Sequence, residues 1–183
     1  MHRPTTRRDF IQAAAGIAAL DAGRGAWGAA TAMFVSLNSS LTGKMAWPEF
    51  ARLAARIGYG GTDVSLQGAM QEGVEPTRAL FAELKIKPGV TSLPMSPFVR
   101  DDAAFQTGMK RLDEAAQFMA AIGCPRAMVV LPPSSDTPKA ELRKIFKDRL
   151  SGVSEILQRH KVRVGLEFLG PRYFHTRLPH EFI

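Results

Sequence analysis

The chain has 183 residues, 45% hydrophobic and 22% charged, which is the make-up of a soluble globular protein and excludes a disordered or fibrous one. Beyond residue 30, 20 Lys/Arg stand against 15 Asp/Glu, and the excess of +5 is spread along the chain with no basic block, so no nucleic-acid partner is expected. Cys124 is the only cysteine, which excludes an intramolecular disulfide; its place before Pro125, at the end of a helical pattern, predicts a buried structural thiol.

Residues 1–30 read as a segment separate from the fold. Thr5 to Gln12, T-T-R-R-D-F-I-Q, has the twin arginine and following aromatic residue of a Tat export signal. The apolar run after it, A-A-A-G-I-A-A-L, is too short for a bilayer that needs roughly 20 residues, so no stable membrane anchor is expected. The expectation is transport by the Tat machinery, cleavage near Ala30 and a periplasmic protein spanning 31–183.

The remainder alternates strand and helix. Ala32 to Ser40 reads as a first strand, followed by a helix with Trp47, Phe50, Leu53, Ala54 and Ile57 on one face and Gly58 as its stop. Gly61 to Leu66 is a second strand, Pro76 opens a short helix, and Lys85 to Leu93 is a third strand interrupted by Pro88. Asp101 or Asp102 caps the longest helix, whose Phe105, Met109, Leu112, Ala116 and Met119 form one stripe. Ala127 to Leu131 is an almost wholly apolar fourth strand, as expected inside a parallel sheet. A fourth helix runs from Thr137-Pro138 to about His160, with Leu142, Ile145, Phe146, Leu150, Val153 and Leu157 turned inward.

Val162 opens the fifth strand, V-R-V-G-L-E-F-L-G-P. Val162, Val164 and Leu166 alternate with Arg163, Gly165 and Glu167, the period of a strand with two unlike faces. Gly170-Pro171 breaks the run and leaves Glu167 near the strand's C-terminal end, which in parallel α/β barrels is the active-site mouth. Glu167 is therefore a candidate metal ligand or general base, against the reading of a solvated strand-end carboxylate. Four β-α units and a fifth strand imply parallel strands with right-handed crossovers in one domain. Five strands suit a doubly wound open sheet, whereas a (β/α)8 barrel needs eight. The apolar tail, with Tyr173, Phe174, Leu178, Phe182 and Ile183, reads as a chain entering a fifth helix. A flavodoxin-like domain is the weaker alternative, since S-L-N-S-S-L-T-G-K stands where a glycine-rich phosphate loop would follow strand one.

In the helix-strand join A-A-R-I-G-Y-G-G-T-D-V-S, in A-A-I-G-C-P-R-A-M-V-V, and above all in G-L-E-F-L-G-P followed by P-H-E-F-I, the chain resembles the xylose isomerase-like TIM-barrel proteins, a family of sugar phosphate isomerases and epimerases. The resemblance runs over roughly Met33 to Ile183. It implies a (β/α)8 TIM barrel cut after about five strands, a carbohydrate substrate and proton transfer through an enediolate. It also implies a divalent cation (Mn, Mg, Co or Zn), with Glu167 as the strand-five metal ligand and catalytic carboxylate. Ligands from strands six to eight would lie beyond Ile183; His175 and His180 are the nearby imidazoles and the further metal-ligand candidates. The absence of histidine between His2 and His160 argues against the family's DNA-repair endonucleases.

Candidate substrate-binding residues are Asn38 and Asp63 at strand ends, Trp47 at a helix start and Arg172 beyond strand five. The plain reading of each is, in turn, a loop amide, an anchor of the barrel interior, a packing residue and a solvated arginine. Two classes of function follow: a metal-dependent sugar isomerase or epimerase of which this is the N-terminal portion, or a non-catalytic carbohydrate-binding or degenerate barrel without the metal site. Open edges at strands one and five predict self-association into a homo-oligomer.

Overall fold

The structure is a computed structural model and describes residues 33–168 apart from 44, 100, 133, 134 and 136. Its five strands are β1 (Ser36–Leu37), β2 (Gly61–Val64), β3 (Lys87–Ser92), β4 (Arg126–Leu131) and β5 (Arg163–Phe168). The helices between them are α1 (Trp47–Arg56), α2 (Leu66–Glu72), α3 (Val74–Leu84), α4 (Asp102–Ala121) and α5 (Lys139–Arg159).

All neighbouring strands pair in parallel and the sheet order is β1-β2-β3-β4-β5. A flavodoxin-like sheet reverses direction, in the order 2-1-3-4-5, so that it can carry helices on both faces. Here each crossover steps the same way. Right-handed crossovers stepping in one direction put every helix on one side. The other side is the inner face of a barrel wall.

The burial pattern follows that division. On β4, Ala127, Val129 and Leu131 are buried toward the helices, while Met128 is half-buried and Val130 is 40% exposed on the inner face. The expectation of a fourth strand buried on both faces holds only for the helix side. Main-core residues include Leu37, Phe50, Leu80, Leu112, Met119, Val153 and Leu157, and a smaller cluster of Leu131, Leu142 and Phe146 closes over the end of β4.

Local chemistry explains most of the element boundaries. Asp101 caps α4 by accepting from the backbone N–H of Ala103 (2.8 Å) and Ala104 (3.3 Å). Pro48 stands in the first turn of α1, where its missing N–H costs nothing. Strand one is shorter than its apolar pattern suggests, because Asn38 caps a 3-10 turn over Ser39–Leu41 and ends it. Leu66 opens α2 rather than extending β2. Ile57, placed inward by periodicity, is 53% exposed, since α1 ends at Arg56 and Ile57 forms its C-cap. No helix of the described residues is long and apolar enough to cross a membrane.

Candidate functional site

β5 places Glu167 opposite Val130 of β4, and Gly165 opposite Met128, which in turn pairs with Ser92 of β3. Paired residues in parallel strands share a face, so Ser92, Met128, Val130, Gly165 and Glu167 all belong to the inner face. Glu167 is the fifth of six strand residues, hence near the C-terminal rim, and is half-buried. It has no hydrogen-bond or ion-pair partner among the described residues.

Asp63 lies on the same inner face, on β2. Its pairing neighbours show why it is buried (9% exposed) and yet ordered. Between Thr62 and Val64 the register slips: Thr62 pairs with Pro88 but Val64 with Thr91, so β3 carries one extra residue across Gly89 and Val90. Such a bulge leaves a backbone N–H outside the ladder. The Asp63 carboxylate accepts the Ser36 hydroxyl at 3.3 Å, and the nearby backbone of Val90, in the bulge, and of Ser39 helps to stabilise its charge. Burial pushes the Asp63 pKa above its ordinary 3.8, the Ser36 hydroxyl and the Ser39 and Val90 backbone pull it back, and the like charge of Glu167 adds to the rise. The two carboxylates therefore sense one another across the inner face, one held by the Ser36 hydroxyl and the other without a hydrogen-bond or ion-pair partner among the described residues.

A cavity of about 940 Å³ opens at the C-terminal ends of β1, β2 and β3. Ser39, Ser65 and Ser92 line it where the three strands end, and Gln67, Arg111 and Glu114 line it from α2 and α4. Trp47 lines it too, but is 96% removed from solvent, packs on Phe81 at 5.7 Å between ring centroids, and its buried Nε1–H has no partner among the described residues. Asn38 is exposed and spends its side-chain oxygen on the Ser40 N–H (2.8 Å); neither it nor the two carboxylates line the cavity.

Arg172, His175 and His180 lie outside the described residues, as does the twin-arginine segment. Among the described residues no three His, Cys, Asp or Glu side chains come together where they could hold a metal ion. A catalytic cation normally needs three protein ligands, so Glu167 and Asp63 do not fit one by themselves. Cys124 is fully buried, which pushes its thiol up to about 11 and makes it inert packing at neutral pH. The residues that sequence reasoning passed over are Gln67, Gln71, Arg111 and Glu114. They sit on two helices and form no sequence motif; only the fold brings them to one cavity.

No protein-family model matches the chain, and no curated protein does. Solved structures do. A xylose isomerase domain protein from Alicyclobacillus acidocaldarius superposes with a TM-score of 0.69 at 24% identity, over 80% of this chain and 54% of that one. The 3-keto-D-glucoside 4-epimerase of E. coli gives 0.63 at 17% identity, covering 75% and 57%. The IOLI protein, solved with a bound zinc atom, gives 0.65 at 19% identity, covering 75% and 52%. The chain thus spans about half the length of these structures. Sequential parallel order, helices on one side and these superpositions together identify the fold as a partial xylose isomerase-like TIM barrel of five strands.

Proposed function

We propose that the protein is a sugar isomerase or epimerase in which Glu167 transfers the proton. The observation that carries this reading is a carboxylate without a partner among the described residues, at the C-terminal rim of the inner face, in a fold whose neighbours include sugar epimerases. Glu167 takes the proton from the carbon beside a substrate carbonyl. As that C–H bond breaks, its electron pair forms the C=C bond of an enediolate and the carbonyl pair moves onto oxygen. Return of the proton to the neighbouring carbon, with the hydroxyl proton passing to the former carbonyl oxygen, completes an isomerisation; an epimerisation would need a second acid, on the opposite face of the substrate and from outside the described residues, to reprotonate the same carbon. Asp63, already accepting the Ser36 hydroxyl, serves as the anchor that shapes the β1–β3 rim rather than as a free base. Burial, with a smaller contribution from the like charge of Glu167, favours the protonated form of Asp63.

A divalent cation, Mn, Mg, Co or Zn, belongs to this proposal as the group that would hold adjacent sugar oxygens, with Glu167 among its ligands and the others from outside the described residues. Tat export and a periplasmic location, with residues 1–30 removed, also belong to it.

The test is exchange of the proton next to the carbonyl. Incubation with a panel of ketoses, aldoses and sugar phosphates in ²H₂O, followed by NMR, should show deuterium entering one substrate, and Glu167→Gln should abolish it. Exchange that survives Glu167→Gln removes that residue from the mechanism. Sugar binding without exchange at any added cation would instead mark a carbohydrate-binding barrel.

A further inference from the structure

We propose that the cavity over the ends of β1, β2 and β3 is a second saccharide subsite, so that the preferred ligand is a glycoside rather than a free monosaccharide. This rests on the reading of the inner face as a sugar site. The cavity and the inner face are continuous. Ser39 lies near the Asp63 carboxylate and also lines the cavity, and Ser92 belongs both to the inner face and to the cavity wall. One ligand can therefore reach both places, although the cavity includes neither Asp63 nor Glu167.

The wall of the cavity has the chemistry of a saccharide site. Gln67 and Gln71 stand one turn apart on α2, and Arg111 and Glu114 one turn apart on α4; all four line the cavity. None of the four has a hydrogen-bond or ion-pair partner among the described residues. Planar amide, guanidinium and carboxylate groups offer paired donors or acceptors that match vicinal hydroxyls. Arg111 alone would suit a phosphate, but Glu114 one turn away leaves the wall without net charge and so without net attraction for an anion. Met45 and Met70 supply apolar surface for the C–H faces of a pyranose. At about 940 Å³ the cavity stands near the top of the roughly 300–1,000 Å³ range of small-molecule sites, far more than one hexose fills.

The test uses the full chain in calorimetric titrations. The probes are glucose, galactose and fructose, set against cellobiose, lactose and sucrose. At least one disaccharide should bind ten-fold or more tighter than either of its component sugars. Gln67→Ala/Gln71→Ala and, separately, Arg111→Ala should erase that advantage with the circular-dichroism melt unchanged; these are surface side chains without a hydrogen-bond or ion-pair partner among the described residues, so folding is not at stake. Equal affinity for disaccharides and their components, or an advantage that survives both variants, overturns the subsite and leaves the inner-face reading intact. A disaccharide advantage in a protein that exchanges no substrate proton supports the subsite and overturns the catalytic reading. Failure to bind any of the six sugars overturns the subsite, while the catalytic reading stands or falls on the deuterium-exchange experiment.

Discussion

Ser36 reaches across from β1 and gives its hydroxyl to the Asp63 carboxylate on β2, and the missing side chain of Gly89 on β3 is what leaves it room. A Cβ built on Gly89 would stand 2.2 Å from Ser36 Oγ and 3.0 Å from Ser36 Cβ. Gly89→Ala must therefore push Ser36 off the carboxylate, and overpacking of this kind costs about 1–3 kcal/mol. In a Ser36→Gly background the obstructing atoms are gone, so the same change should cost much less. Denaturant unfolding of the four proteins measures the coupling, and full additivity of the two changes would contradict the contact.

Asp63 makes stability depend on pH in a predictable direction. Its folded pKa lies above its ordinary 3.8, so the folded state holds this proton more tightly than the unfolded chain does. The contribution is fully present below the unfolded value and is lost as pH rises through the folded value. Relative to Asp63→Asn, which cannot ionise, the wild-type protein should lose stability as pH climbs from about 4 and level off above the raised pKa. Melting curves of both proteins across this range provide the check; a difference that is constant with pH would show that Asp63 is not perturbed.

Cys124 repeats the argument at the alkaline end. Burial moves its thiol from 9.0 to about 11, so the thiol's contribution is intact below pH 9 and lost as pH rises toward 11. At about 1.4 kcal/mol per unit, the wild-type protein should fall relative to Cys124→Ala by on the order of 3 kcal/mol across that window. Below pH 8 a thiol reagent should label it only as fast as the protein opens.

How far the sequence reveals this site depends on whether a feature is local. The period-2 pattern of β5 puts Glu167 on the face opposite Val162 and Val164, and the β4 pairing agrees. The stripe of α4 is also legible, with Phe105, Leu112, Ala116 and Met119 all buried. What is not legible is set by neighbours. The bulge at Gly89 and Val90, whose backbone helps to stabilise the Asp63 charge, arises from pairing with β2 and has no signature in K-P-G-V-T-S. Helix α2 is seven residues long with Gly68 inside it, too short for a period; Gly68 is there because a Cβ would lie 3.0 Å from that of Trp47. The polar wall of the cavity joins α2 to α4 across some forty residues of sequence, which no motif records.

Arg149 holds the loop after β3 onto α5. Its side chain is only 10% exposed; it donates to the carbonyls of Pro97 (3.1 Å) and Val99, pairs with Asp102, and its guanidinium carbon sits 4.7 Å from the Phe105 ring centroid. Bonds from a charged donor contribute about 1.5–3 kcal/mol, so Arg149→Met should cost at least 2 kcal/mol in denaturant unfolding. Arg149→Lys should recover little, because one ammonium cannot serve two carbonyls, a carboxylate and a ring face together. Full recovery by lysine would reduce the arrangement to a simple ion pair.

Export is tested by the N-terminal arginines. Arg7 and Arg8 precede Phe10 and a weakly apolar run of alanines and glycine. Such a run is too short and too weakly hydrophobic to act as a membrane span; on the proposed reading, transport depends on recognition of the paired guanidinium groups. Lysine keeps both charges but loses the planar, forked donor geometry. If the Tat machinery reads this segment, Arg7→Lys/Arg8→Lys should leave precursor in the cytoplasm of an expressing bacterium, whereas the wild-type chain is shortened by about thirty residues and recovered from the periplasm. Fractionation with immunoblotting distinguishes the two products by size and location. Undiminished periplasmic recovery of the double-lysine variant, or full export in a strain lacking the Tat translocase, would show that the arginines are not a signal.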